Sequence, residues 1–300
     1  MLKSINNPSL RLWSASLGLT FLCLLSLLVI SCKKDSTATP DDPDAVANVK
    51  VATSATLGNY LTDANGNTLY FFARDIDGTN TCTSATCNPQ WPVYYEASVK
   101  APKGLNATDF ATKNTPDGRP QTTYKGWPLY YYAPATGGAN TREAPGLTGG
   151  NAIGGIWHVV NPAYNVLLAS KNVEDKTTHV VSSKTFLVDG QGRTLYYFAK
   201  DNSSPTTQPT NCTGGCATIW PALYLSTPVA PSSLKTTDFA TITREASVAS
   251  GPYGNSTGTR EQLTYKGHPL YYYAGDNATR GHAEGHDFDD SGDKWYVAAP

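Results

Sequence analysis

The stretch Gly66-Asn67-Thr68-Leu69-Tyr70-Phe71-Phe72-Ala73-Arg74-Asp75 decides how this chain folds, because it comes back. It returns as Gly192-Arg193-Thr194-Leu195-Tyr196-Tyr197-Phe198-Ala199-Lys200-Asp201. A proline form runs Gly126-Trp127-Pro128-Leu129-Tyr130-Tyr131-Tyr132-Ala133, and again Gly267-His268-Pro269-Leu270-Tyr271-Tyr272-Tyr273-Ala274. Each copy follows a turn signal. Leu61-Thr62-Asp63 and Thr68-Leu69-Tyr70 flank Asn65-Gly66, which supplies the positive φ of a tight turn. Successive side chains of a strand point to opposite faces, so the aromatic run puts bulk on both and both are expected to be covered. The phrase reads as the returning strand of a β-hairpin.

The repetition extends well beyond the phrase. Phe186-Leu187-Val188-Asp189 follows Tyr60-Leu61-Thr62-Asp63 at an offset of 126, and Asp109-Phe110-Ala111-Thr112 returns unchanged as Asp238-Phe239-Ala240-Thr241. Gln121-Thr122-Thr123-Tyr124-Lys125-Gly126 matches Gln262-Leu263-Thr264-Tyr265-Lys266-Gly267 at offset 141, which locates an insertion near 244–260. Each copy closes on a tryptophan, Trp157 and Trp295. The chain is expected to be all-β, with two tandem homologous hairpin-rich modules at 49–163 and 176–300 and a linker at 164–175. Short helical turns are expected only around 107–112 and 237–241. Sandwich, small-barrel and blade-like arrangements all accommodate the pattern.

The N-terminus reads as an address. Lys3 and Arg11 precede an apolar, uncharged run from Leu12 to Ile30, as in a secretory signal. Val29-Ile30-Ser31-Cys32 resembles a bacterial lipobox, which implies removal of residues 1–31 and acylation of Cys32. Residues 33–48, rich in Ser, Thr, Asp and Pro, read as a solvated tether. No aspartate directly follows Cys32, which favours the outer membrane over retention at the inner one. Without residues 1–31 the chain carries 21 Lys+Arg against 24 Asp+Glu, a net charge near −3. Beyond Lys33-Lys34 it has no basic cluster, so it lacks the electrostatic footprint of a nucleic-acid binder.

Of the six cysteines, Cys23 is expected to leave with the signal and Cys32 to carry the lipid. The other four fall as close pairs, Cys82/Cys87 and Cys212/Cys216, one per module. Outside the cytoplasm such pairs read as local disulfides; their spacing fits a shared zinc site poorly.

The pattern Tyr-x-aromatic-x-x-Asp stands as Tyr70, Phe72, Asp75 and as Tyr196, Phe198, Asp201. With the cysteine pair before Trp-Pro and the Gln-x-x-Tyr-x-Gly-x-Pro-Leu-Tyr phrase, it resembles the bacterial lipoproteins built from the secreted repeat of unknown function. The resemblance spans both modules and implies no activity. One departure is Ala135, which stands where the second module has Asp276.

Candidates for chemistry are few. Asp75 and Asp201 suit capping of the following turn, and the aromatic strands could alternatively stack a glycan, a quinone or another flat ligand. In the second module His282, His286, Asp287, Asp289 and Ser291 form the segment most like a metal site. Asp287, Asp289 and Ser291 before Gly292 match half of a calcium loop, but Ala298 occupies the position of its closing glutamate. Gly254-Asn255-Ser256-Thr257-Gly258 spells a hydrolase elbow without the strand and helix that elbow requires. His158, His179 and His268 read as structural, and no catalytic set or cofactor motif is evident. The expectation is a lipid-anchored envelope protein that binds or scaffolds an unidentified envelope partner or small ligand and is not an enzyme. An electron-transfer or metal-handling accessory and a glycan-active enzyme are the alternatives.

Overall fold

The computed structural model describes residues 46–138, 140–201, 211–245 and 258–300. The signal run, Cys32, the tether up to residue 45 and most of the insertion, Ser256 included, lie outside these residues.

The first module contains β1 (Val49–Ser54), β2 (Gly58–Asp63), β3 (Tyr70–Phe72), β4 (Phe110–Asn114), β5 (Pro120–Tyr124), β6 (Trp127–Pro128) and β7 (Trp157–Val159). The second contains β8 (Val166–Glu174), β9 (Val181–Asp189), β10 (Tyr196–Phe198), β11 (Phe239–Glu245), β12 (Thr259–Tyr265), β13 (His268–Pro269), β14 (Phe288–Asp290) and β15 (Asp293–Val297). All ladders are antiparallel. They run in sheets of two or three strands, and the fold is all-β.

Residues 164–175 are not a linker. Val166-Leu167-Leu168-Ala169 is an apolar run like that of a buried strand, and it forms β8 against β9 with Val166 opposite Asp189. The pairing repeats Val49 opposite Asp63 in the first module. The expected helical turns are also shorter than 107–112 and 237–241. They are 3₁₀ turns at Ala107–Asp109 and Thr236–Asp238, after which Phe110 and Phe239 start strands because each pairs across to a tyrosine. Two short helices are not legible in the sequence, α1 (Cys87–Gln90) and α2 (Gly215–Ile219), each carrying the second cysteine of a disulfide.

Turn chemistry fixes the hairpins. Lys125 and Gly126 both have positive φ, at 46° and 80°, and join β5 to β6 in a two-residue turn with Tyr124 opposite Trp127. Lys266 and Gly267 do the same between β12 and β13. Pro128 and Pro269, which cannot donate to a ladder, sit on the edge strands of their sheets.

Each module is itself a duplication. A hairpin (β1–β2, β4–β5) leads through a turn to a phrase strand, then to a 3₁₀ turn, then to a tryptophan-led return. In the first module the returns begin at Trp91 and Trp157; in the second they begin at Trp220 and Trp295. The two halves meet where Tyr70 and Tyr130 exchange backbone hydrogen bonds, both 2.9 Å. Tyr196 and Tyr271 meet identically, at 2.8 and 2.9 Å. Such reciprocal pairing places an approximate two-fold axis through each module.

The phrase residues are core. Tyr70, Phe71 and Phe72 are all buried, as are Tyr196 and Phe198. Tyr70 and Phe72 pack with Trp91, Tyr130 and Trp157 on one side of the strand, while Phe71 joins a cluster that also contains Leu167, Phe186 and Val188 of the second module. Both strand faces are therefore covered, each large apolar side chain stabilising the fold by roughly 1.5–3 kcal/mol. Pro40–Pro300 is one compact unit. Arg280 clasps the modules together: Nη1 donates to the Ile76 carbonyl at 2.9 Å, Nη2 donates to that of Lys125, and the guanidinium lies 4.6 Å over Trp127. Burial pushes its ionisation down to about 10.

Candidate functional site

The recurring acids face inward, onto tyrosines of the opposite half-module. Asp75 Oδ2 accepts the hydroxyl of Tyr130, while Oδ1 takes the Thr81 amide at 2.8 Å and the Thr81 hydroxyl at 2.6 Å. In the second module Asp201 accepts Tyr271 at 2.5 Å, and Asp276 accepts Tyr196 at 2.6 Å and the Glu284 amide at 2.9 Å. Each half thus lends its tyrosine to the other's acid. The first module lacks the second acid at Ala135 but not the interaction. Glu143 reaches the same place, its Oε1 accepting Tyr70 and its Oε2 the Gly149 amide at 2.8 Å. Gly150 and Gly285 complete the match, each donating its amide to the tyrosine hydroxyl at 3.3 Å.

Electrostatics follow from burial. Desolvation raises Asp75 to about 6, against three hydrogen bonds that favour its charged form. Glu143 and Asp276 are raised for the same leading reason. Tyr70 and Tyr130 are pushed far up, by burial first and then by the adjoining carboxylate, so both stay protonated donors.

Around the axis the aromatic rings form matched stacks. Trp91 lies on Trp157 at 3.7 Å and 1°, and Trp220 on Trp295 at 3.8 Å and 0°. Phe72 and Phe198 extend the stacks at 4.0 and 4.4 Å. Disulfides Cys82–Cys87 and Cys212–Cys216 close short loops just ahead of Trp91 and Trp220. Gln121 and Gln262 each donate Nε2 to a phrase leucine carbonyl, Leu129 and Leu270, at 2.8 Å.

Several differences between the modules gather in one place. The β8–β9 strands run nine residues each against six in β1–β2. Their tip brings Lys176 and Thr177 against the segment 284–294. There a cleft of about 570 Å³ is lined by Lys176, Thr177, Tyr273, Glu284, Asp287, Phe288, Asp289 and Lys294. Lys176 pairs with Glu284 at 2.9 Å, and Lys294 lies 3.5 Å from Asp287 and 3.4 Å from Asp289. The hydrogen bond from Lys176 holds Glu284 below the ordinary glutamate range. The first module has Gly149 at the position of Glu284, as the shared amide-to-acid bonds establish.

The family model of the secreted repeat of unknown function matches this chain at residues 177–224 and 256–299. Two copies of that repeat are present, both in the second module. Each holds one phrase and one return tryptophan, Tyr196 with Trp220 and Tyr271 with Trp295. The secreted repeat is thus a half-module, and the crossed tyrosine–acid pair is what joins two of them. No curated protein and no solved structure matches the chain. The family description is that of a secreted protein, in keeping with export.

Within the second secreted repeat the metal-like residues diverge. His282 is exposed, whereas His286 is buried and its Nδ1 accepts the Val297 amide at 3.3 Å. Burial leads in lowering the His286 ionisation. Asp287 Oδ2 takes the Thr177 amide at 2.7 Å, and the Thr177 hydroxyl as well. Ser291 and Gly292, at φ 59° and 95°, are the tip of the β14–β15 hairpin, with Asp290 opposite Asp293. Ser291 and Gly292, two of the residues of the half calcium loop, thus form a two-residue hairpin turn. Among the described residues, no group of three His, Cys, Asp or Glu side chains is placed to hold a metal ion. His179 sits in the β8–β9 turn at φ 57°. Lys176, Thr177 and Tyr273 were missed by sequence reasoning; the longer hairpin was the available signal.

Proposed function

We propose that this chain is a lipoprotein, acylated at Cys32, tethered to the outer membrane by residues 33–48, that binds a ligand rather than transforming one. The observation supporting this is how the duplication divides the residues. Those shared by all repeats are spent on the fold, with the motif acids held against buried tyrosine hydroxyls. Several residues private to the second module, Lys176, Glu284 and Asp289 among them, meet at one open cleft. No buried motif acid is left to serve a reacting bond, which supports a non-catalytic role.

Anchoring is tested by feeding producing cells a palmitate analogue. Wild-type protein is expected to take up label and fractionate with outer membranes, and Cys32→Ala to lose both. Label retained in the variant contradicts the anchor. Turnover of any glycan or ester by purified mature protein, abolished by a single carboxylate substitution, contradicts the binding role.

A second reading, an electron-transfer accessory, draws on the tryptophan stacks at 3.7 and 3.8 Å. Elemental analysis and an absorption spectrum of native-source protein test it; a bound chromophore or metal favours it.

A further inference from the structure

The cleft of the second module has a composition that restricts what it can hold. Its volume, about 570 Å³, falls within the range of small-molecule sites. Its charges are two lysines and three carboxylates, and they are already matched: Lys176 with Glu284, Lys294 with Asp287 and Asp289. A phosphate would meet carboxylates beside every ammonium, and a bare cation would meet lysines beside every carboxylate. A hydroxyl group suits such a lining better, because it donates to a carboxylate and accepts from an ammonium at once. Bonds to charged partners are the stronger kind. Thr177 adds a hydroxyl already held by Lys294 at 2.7 Å.

The apolar part of the lining is aromatic. Tyr273 and Phe288 are half-buried, with ring centroids 5.8 Å apart and planes at 47°, backed by Trp220 at 4.4 and 5.7 Å. A ring presented this way offers apolar area at low entropic cost to the C–H face of a pyranose. A second hollow, lined by Lys171, Asn172, Glu174 and His282 among others, shares Lys176 and Glu284 with the cleft. The shared pair gives room for more than one sugar unit.

We infer that this cleft is a binding site for a neutral oligosaccharide, with Tyr273 and Phe288 as the stacking surface and the Lys176–Glu284 and Lys294–Asp289 pairs as hydroxyl partners. The inference rests on the binding role proposed above and gives that role a ligand class.

Mature lipidated protein in detergent is titrated with neutral oligosaccharides of glucose, mannose, xylose and N-acetylglucosamine, and in parallel with calcium and inorganic phosphate. At least one oligosaccharide is expected to bind. Glu284→Ala is expected to weaken it about tenfold, the equivalent of about 1.4 kcal/mol, and Phe288→Ala to weaken it at least as much. Among the described residues the Glu284 side chain bonds only Lys176, at the surface, so its truncation leaves the fold intact. Circular dichroism checks this for both variants. Oligosaccharide binding unaffected by either substitution overturns the site, while leaving the protein a binder. Binding of calcium or phosphate alone overturns the ligand class. Failure of every oligosaccharide to bind overturns the inference without touching the anchor.

Discussion

Glu143 accepts the hydroxyl of Tyr70 where the second module uses Asp276 for Tyr196. The acid that Ala135 removes from the motif is supplied from a loop eight residues further on, so the interaction has outlived the residue. Glu143→Ala leaves the Tyr70 hydroxyl and the Gly149 amide short of a partner in a buried setting. A loss of about 1–3 kcal/mol is expected, read from urea unfolding. Adding Ala135→Asp to that variant is expected to restore part of the loss, because the motif position then faces Tyr70 again.

The approach of Gly285 to its surroundings forbids a side chain. A Cβ there would lie 2.8 Å from Trp220 Cη2 and 3.0 Å from Tyr196 Cε1, atoms locked in the aromatic stack. Gly285→Ala is expected to cost about 1–3 kcal/mol in thermal or urea unfolding. Gly146→Ala, with open space around its Cβ, has no clash to relieve and isolates the cost of its positive φ.

Each disulfide closes a short loop. Removing Cys82–Cys87 by paired serine substitution is expected to lower stability by about 2 kcal/mol on the chain-entropy account. Loss of the exciton signal of the stacked Trp91–Trp157 pair in far-ultraviolet circular dichroism is expected to coincide with unfolding.

His158 is buried, its Nε2 lies 3.2 Å from the Gly155 carbonyl, and burial lowers its ionisation to about 4. The unfolded chain therefore binds more protons between pH 6.5 and 4, so the contribution of His158 is full above 6.5 and falls as the solution is acidified. Asp75 works the other way: its raised folded value makes its contribution grow as pH falls through about 6. The stability of wild type relative to His158→Phe isolates the histidine, and is expected to decline by about 3 kcal/mol from neutral pH to acid. A ring titrating near 6.5 by NMR would contradict the assignment.

Much of this fold is legible in the sequence because turn residues and alternation act locally. Gly66, Lys125-Gly126 and the repeated phrase locate hairpins without any tertiary information. The half-module duplication is harder to see. Trp91 and Trp157 occupy equivalent places, but one precedes proline and the other histidine, and the hairpins leading to them share few residues. β8 escapes the repeat comparison because Val166-Leu167-Leu168-Ala169 shares few residues with Val49-Lys50-Val51-Ala52, the strand it repeats. The Tyr–Asp motif is visible as a pattern, yet its partners lie 55 to 80 residues away in sequence, and one of them, Glu143, is outside the motif altogether. The cleft depends on a hairpin tip meeting a segment about 110 residues distant, which no local signal announces.

The central claim is that the motif tyrosine of one secreted repeat and the acid of the other form a lock between them. A double-mutant cycle on Tyr196→Phe and Asp276→Ala, followed by urea unfolding, tests it most directly. Coupling of about 1–3 kcal/mol is predicted for a buried hydrogen-bonded pair. Losses that add to within about 0.5 kcal/mol would contradict the lock.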